Sequence, residues 1–303
     1  MTSLSPIAAM TGDAVPPGPS LPLSGHGRSV VRRVVLGSVP GALASAYLLL
    51  LVLVACLAPL VVPHDPNAQN IPLRFAGPSA QHWLGTDSLG RDVLSRLIDA
   101  SRIAIMAPAI SVGFAILVGV PAGMWAGLRR GWVDVVLSRI ADALLSLPGL
   151  AFAMAIVAVL GPGLSHAMIA LGVTFAPRAF RIVRGATLSV AEETYVDAAR
   201  AIGLSDAAII RTHVLPNIIA PLLVQTSIMM GVSLVAEAAL SFLGLGVQLP
   251  DASWGTMLNT AYQTQYQNPL GLLPPAIALA VTVLAFNSLG DAIRDVVGVR
   301  RTR

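Results

Sequence analysis

The chain has 303 residues, of which 55% are apolar and only 11% charged, against about 25% charge in an ordinary soluble domain. That composition excludes a water-soluble globular protein and leaves room for about six membrane-crossing helices of ~20 residues each. The net charge is +4, and all 19 basic residues are arginine. A P-loop ATPase is thereby excluded, because its site needs a lysine on the β- and γ-phosphates.

Residues 1–35 are rich in Pro, Gly and Ser and lack apolar periodicity, so they are expected to form a disordered tail that ends near Arg28, Arg32 and Arg33. The first apolar run, 41–62, is too long for a signal-peptide core and is expected to be the first membrane span. It contains Cys56, expected to be a small buried hydrophobe. A polar stretch follows over 63–102. Within it, Leu89, Val93, Leu97 and Ile98 recur at helical spacing in "GTDSLGRDVLSRLIDASR", which predicts an amphipathic surface helix over 85–98. Residues 36–102 thus form one unit, the first span plus an extracytoplasmic segment, and 103–303 form a five-helix core. The apolar runs are continuous rather than alternating, so the fold is all-α and polytopic.

Span two is predicted over 103–127 and ends at Arg129-Arg130. An interfacial helix over 132–145 carries Trp132 at the water boundary. Span three, 143–161, has Leu147-Pro148-Gly149 near its start, where the proline marks a kink or a gating hinge. Span four is predicted over 165–186, span five over 217–243 and span six over 270–290. A polar loop at 247–268 carries Trp254, Tyr262 and Tyr266. With the N-terminus inside, 15 of the 19 arginines fall on cytoplasmic segments, so both termini are expected in the cytoplasm.

Between spans four and five lies "YVDAARAIGLSDAAIIRTHVLPN", 195–217. Glu192 and Glu193 suit a helix N-terminus. Tyr195, Ala198, Ala199 and Ile202 fall at i, i+3, i+4 and i+7, on one apolar face. Gly203 can end that helix in the left-handed conformation. Ser205 can cap a second short helix, 206–214, expected to stop at Pro216. An apolar face must bury against something: its own bundle, lipid headgroups or a cytoplasmic partner.

The segment resembles the EAA motif of ABC-importer permeases: Glu-Ala-Ala, three residues, Gly, nine residues, Ile-x-Leu-Pro. Here Asp197-Ala198-Ala199, Gly203 and His213-Val214-Leu215-Pro216 stand at that spacing; Asp replaces Glu and His replaces Ile. "HVLPN", "GTDSLGRDVLSR" (85–96) and "EAALSFLGLGVQLPDASWG" (237–255) are similar to the C-type permease subunits of the dipeptide/oligopeptide/nickel branch. The resemblance implies a type I ABC-importer permease in the bacterial cytoplasmic (inner) membrane, importing peptides, with nickel or another small solute as the alternative. It implies a pathway shared with a second homologous permease, two ATPase subunits that bind ATP and Mg, and an extracytoplasmic substrate-binding protein. It also implies ATPase coupling through the segment 190–216: Glu193, Tyr195, Val196, Asp197, Ala198, Ala199, Arg200, Ile202, Gly203, Leu215 and Pro216. No catalytic site, nucleic-acid partner or cofactor is expected on this chain. A self-contained secondary transporter or channel is the competing class.

Three polar features remain. Arg178, Arg181 and Arg184 recur every third residue, as in a voltage sensor or as interfacial anchors. Glu237 and Asn287 lie inside spans and are expected to hydrogen-bond within the bundle or to the partner permease, with a substrate or proton site as the alternative for Glu237. His26, His64, His82, His166 and His213 are scattered without ligand spacing, so no metal site is expected.

Overall fold

The computed structural model describes residues 38–298; the expected tail, 1–35, lies outside them. Helix α1, Val39–Val61, begins with Ser38 accepting a hydrogen bond from the Gly41 amide. Its outer face exposes Leu49, Leu50, Leu53 and Leu57, as a lipid-facing surface does. Cys56 is exposed on this helix, not buried as expected, because it falls on the face turned away from the bundle.

Residues 85–92 are not helical. They form a hydrogen-bonded knot closed by a bridge between Thr86 and Asp92. Asp87 Oδ1 accepts the amides of Leu89 (2.8 Å) and Arg91 (3.0 Å), and its Oδ2 takes Arg91 Nε at 2.7 Å. The Leu89 carbonyl accepts from the Asn70 amide at 3.1 Å. Gly90 has φ +73°, and a Cβ there would stand 1.8 Å from the Asn70 carbonyl oxygen. The carboxylates thus satisfy amides that a helix would need, and the glycine closes a turn that other residues could not. The expected surface helix is therefore corrected: its C-terminal part, from Val93 on, is the start of the second span.

That span, α2, runs Val93–Arg129. At 1.5 Å per residue it is about 55 Å long, so it extends beyond the ~30 Å hydrocarbon core. It reverses through Arg130, with φ +53°, into α3, Gly131–Leu145. α3 exposes Trp132, Val135, Val136 and Ile140. α3 is the short helix expected over 132–145, and the predicted third span, 143–161, breaks at the kink expected at Pro148, where α3 meets α4, Gly149–Leu160, at 91°. α4 alone reaches only about 18 Å. Pro148 caps α4, and its ring cannot be accommodated in a continuous helix at this bend.

Helix α5 spans Leu164–Ala191. Helix α6, Thr194–Ala201, and α7, Asp206–Ile209, follow as short elements. A π-turn over Ile210–Val214 then runs directly into α8, Leu215–Phe242. The expected stop at Pro216 is corrected, because proline is tolerated in the first turn of a helix, where no intrahelical N–H is needed. The polar stretch after α8 contains α9, Trp254–Gln263, opened by a capping box between Ser253 and Thr256. Trp254 is buried and its indole donates to the Leu97 carbonyl at 3.2 Å. Helix α10, Leu273–Gly298, ends the described chain.

By length and composition, α1, α2, the α7–α8 unit and α10 can cross a membrane, and the bent α3–α4 pair makes five if it counts as one span. α5 has the length but carries Arg178, Arg181 and Arg184 in its second half. No strand occurs among the described residues.

Helix α2 is the axis of the packing. Gly119, Gly123 and Gly127 fall at four-residue intervals on its face toward α5. A Cβ on Gly119 would meet the Ala176 carbonyl oxygen at 2.7 Å, and one on Gly123 the Phe180 carbonyl oxygen at 2.8 Å. The two backbones are therefore in direct contact, as small residues four apart allow between membrane helices. Ser111 and Ser233 bridge α2 and α8 through their hydroxyls. Four apolar clusters among the described residues lie along this axis. One joins α1, α2, α8, α9 and α10, a second joins α2, α4, α5 and α8, a third joins α2, α5, α6, α7 and α8, and a small fourth joins α2, α3 and α5.

Candidate functional site: the coupling segment

Helix α6 is short, and tertiary contacts set its aim. Glu193 precedes it in extended conformation, with Thr194 as the first helical residue. Val196 and Ala199 are buried in the cluster formed with Leu128, Val183, Ile209 and Ile218. Tyr195, Ala198 and Ile202 are exposed, Ile202 at 77%. The expected four-residue face is therefore divided. Ala199 belongs to the bundle side, with Val196, because a helix turns 100° per residue and these two fall three apart on the inner side. Tyr195, Ala198 and Ile202 form an exposed apolar strip that no apolar cluster of the described residues includes. Tyr195 is held in place by the His213 ring, 5.6 Å away between centroids, and by the Asn217 amide at 3.4 Å.

The end of α6 is fixed by a pair of backbone hydrogen bonds. The Gly203 amide donates to the Arg200 carbonyl at 2.9 Å, and the Leu204 amide to the Ala199 carbonyl at 3.1 Å. These are the two bonds of a Schellman turn, and Gly203 takes the left-handed conformation it requires, φ +85°. Ser205 Oγ accepts the Ala208 amide at 3.4 Å and caps α7. Leu215 and Pro216 are exposed in the first turn of α8.

Ion pairs surround the segment. Arg129 Nε donates to Asp206 at 2.6 Å, Arg130 to Glu192 at 2.7 Å, and Arg200 to Asp197 at 3.2 Å. They border a cavity of about 550 Å³. The arginines of α5 are paired with α3: Arg181 with Asp142 at 2.6 Å, and Arg184 with Asp134, whose Oδ2 accepts Nη2 at 2.7 Å. Arg178 lies over the Phe175 ring. The two pairs fasten α3 to α5, a role different from both a voltage sensor and free interfacial anchors.

Glu237 is 1% exposed and accepts the Ser241 hydroxyl at 2.6 Å. Ser241 Oγ in turn accepts the Val247 amide at 3.0 Å. The carboxylate thus orders the turn after α8 within this chain; the expected bond to a partner permease is not needed to satisfy that oxygen. Asn287 is exposed and lies where α10 passes Gly231 of α8. It borders a second cavity, of about 390 Å³, with Thr174, Arg178 and Val235.

The histidines are not all scattered. His82 Nδ1 stands 2.9 Å from Asp92 Oδ1, His64 Nδ1 stands 3.9 Å from Asp92 Oδ2, and the two rings are 4.9 Å apart. Sequence spacing concealed this, because a long stretch of loop separates the two histidines. Burial pushes the Asp92 carboxyl up, but hydrogen bonds from Ser95 and His82 and the nearby His64 outweigh it and hold it below its ordinary value.

Residues 119–303, which include α6 and the whole candidate segment 190–216, match the family described as "Binding-protein-dependent transport system inner membrane component". The chain belongs to this family. The permease is 40% identical over 253 residues to the glutathione transport system permease protein GsiD of Pectobacterium atrosepticum, covering 83% of this chain and 84% of that one. It is 39% identical over 244 residues to the dipeptide transport system permease protein DppC of Alkalihalophilus pseudofirmus, covering 80% of each. Its fold is similar to that of a chain in the inward-facing MetNI methionine ABC transporter, with a TM-score of 0.57 at 21% identity over 67% of this chain and 97% of that one. The permease is thus an ABC-importer permease and a multi-pass inner-membrane protein.

Proposed function

We propose that the chain is the C-type permease subunit of an ATP-driven peptide importer. It crosses the membrane six times with both termini in the cytoplasm. It forms the pathway with a second homologous permease and receives substrate from an extracytoplasmic binding protein. Two separate ATPase subunits bind ATP and Mg, and the absence of lysine supports a chain that converts their motion without hydrolysing nucleotide. The names of the two relatives support peptides as the substrate class.

The observation that carries the coupling role is the divided face of α6. Val196 and Ala199 anchor it to the bundle, while Tyr195, Ala198 and Ile202 stay exposed, and Asp197 and Arg200 line a charged cavity on another side of the helix. A force applied by a partner to the exposed strip passes to α2, α5 and α8 through the buried one. The test uses Ile202→Asp, which places a charge on the exposed strip, and Gly203→Val, which opposes φ > 0 at the turn. Both are expected to leave the permease inserted and paired while ATPase co-purification and substrate-stimulated ATP hydrolysis in reconstituted vesicles fall. Wild-type levels of both quantities in the two variants would overturn the coupling role.

A further inference from the structure

We propose that His64, His82 and Asp92 form a binding site for a divalent transition-metal ion of the zinc class. The three come from different points of the chain. His64 follows the end of α1, His82 lies deep in the loop, and Asp92 is the N-cap of α2. An ion held by all three ties α1, the loop and α2 together in the 63–92 region.

The donor set suits this ion. Two imidazoles and one carboxylate favour zinc, cobalt, nickel or copper over magnesium and calcium, which take oxygen ligands. The ligand atoms all lie within 4.8 Å of one another. Ligands at ~2.0–2.2 Å from a tetrahedral ion stand about 3.4 Å apart. His82 Nδ1 and Asp92 Oδ1, hydrogen-bonded at 2.9 Å, must give up that proton and part by about half an ångström to admit the ion, and His64 Nδ1, 3.9 Å from the other carboxylate oxygen, must swing in to reach it. His64 can make that move, because its side chain is 42% exposed. The fourth position then opens toward solvent on the His64 side, where water can complete the shell.

The surroundings hold the ligands in place. Asp92 Oδ2 accepts the Ser95 amide at 2.8 Å and the Ser95 hydroxyl at 2.6 Å, the kind of outer contact that orients a metal-binding carboxylate. The His64 backbone amide donates to the same Ser95 Oγ at 3.1 Å. The purely structural alternative is that His82 and Asp92 together cap α2. It accounts for His82 but not for His64, whose ring makes no hydrogen bond among the described residues and yet faces both of the others.

The full-length permease, purified through a tag free of histidine and stripped of metal, is titrated with Co²⁺ and then Zn²⁺. One Co²⁺ per chain is expected to bind, with the visible absorption of nitrogen and oxygen ligation, and Zn²⁺ is expected to displace it and raise the unfolding temperature. His64→Ala, at an exposed position, should leave the metal-free unfolding temperature unchanged and weaken Co²⁺ binding by at least about tenfold, the loss that even an outer-shell change costs at such sites. His82→Gln should weaken it similarly, and His213→Ala should not. No stoichiometric Co²⁺ binding by the wild type, or wild-type affinity in His64→Ala and His82→Gln, would overturn the site.

Discussion

Glu237 is legible in sequence as a carboxyl inside an apolar run, and the fold gives its role. Its oxygen takes the Ser241 hydroxyl, and that hydroxyl holds the Val247 amide. Glu237→Gln keeps an acceptor for Ser241 and is expected to preserve folding and most of the transport. Glu237→Leu leaves the buried Ser241 hydroxyl without that acceptor and should cost ~1–3 kcal/mol, read as a lower unfolding midpoint of the purified permease. Equal midpoints for the Gln and Leu variants would show that the bond contributes nothing. Gly203 is readable in another way, because a glycine between two short polar helices is a recurrent stop. Ala199 is not readable: the pattern places it on an apolar face, but only neighbours decide whether that face looks inward.

Among the elements, the contact of α2 with α5 rests on an absence of side chains. Gly123→Ala puts a Cβ 2.8 Å from the Phe180 carbonyl oxygen and 3.0 Å from the Arg184 amide nitrogen. Backbone atoms cannot turn aside, so the helices must separate, at a cost of about 1–3 kcal/mol. Gly113 lies on the same helix with nothing within 4 Å of its Cβ position. Gly113→Ala is therefore expected to be neutral or to stabilise by up to ~1 kcal/mol through helix propensity. Thermal unfolding of the two variants in detergent checks the contrast, and equal shifts would refute the close-approach account. The stripe is visible as glycines four residues apart, but equally spaced glycines in a membrane helix do not name the helix they meet.

For the whole molecule, the orientation proposed from the arginine distribution can be tested at the 63–92 loop. Ser79 is exposed there. Ser79→Cys, in a Cys56→Ala background, should react with an impermeant thiol reagent added outside the cell. Labelling from the cytoplasmic side alone would invert the topology and place the coupling segment outside. The ion pairs of Arg129, Arg130, Arg181 and Arg184 brace α3, α5 and α7 around α6, and under the proposed orientation they lie on the cytoplasmic side.

Sequence alone determined that the chain is built of long apolar helices, and it marked the turn at Gly203 between two short polar ones. A bilayer forces backbone polar groups to pair within each segment, so an apolar run of sufficient length has one solution, and the spacing around Gly203 marks a local turn. Tertiary structure alone decided the 63–92 loop, the 91° size of the bend that Pro148 marks, the continuation of α7 into α8 and the meeting of His64 with His82 and Asp92. In the loop, side chains such as Asp87 replace a periodic backbone pattern with bonds to particular amides, and such bonds leave no period to read. At α6, periodicity could place apolar residues on one side of a helix, but only packing against Leu128, Val183 and Ile218 assigned Val196 and Ala199 to the bundle and left Tyr195, Ala198 and Ile202 outside.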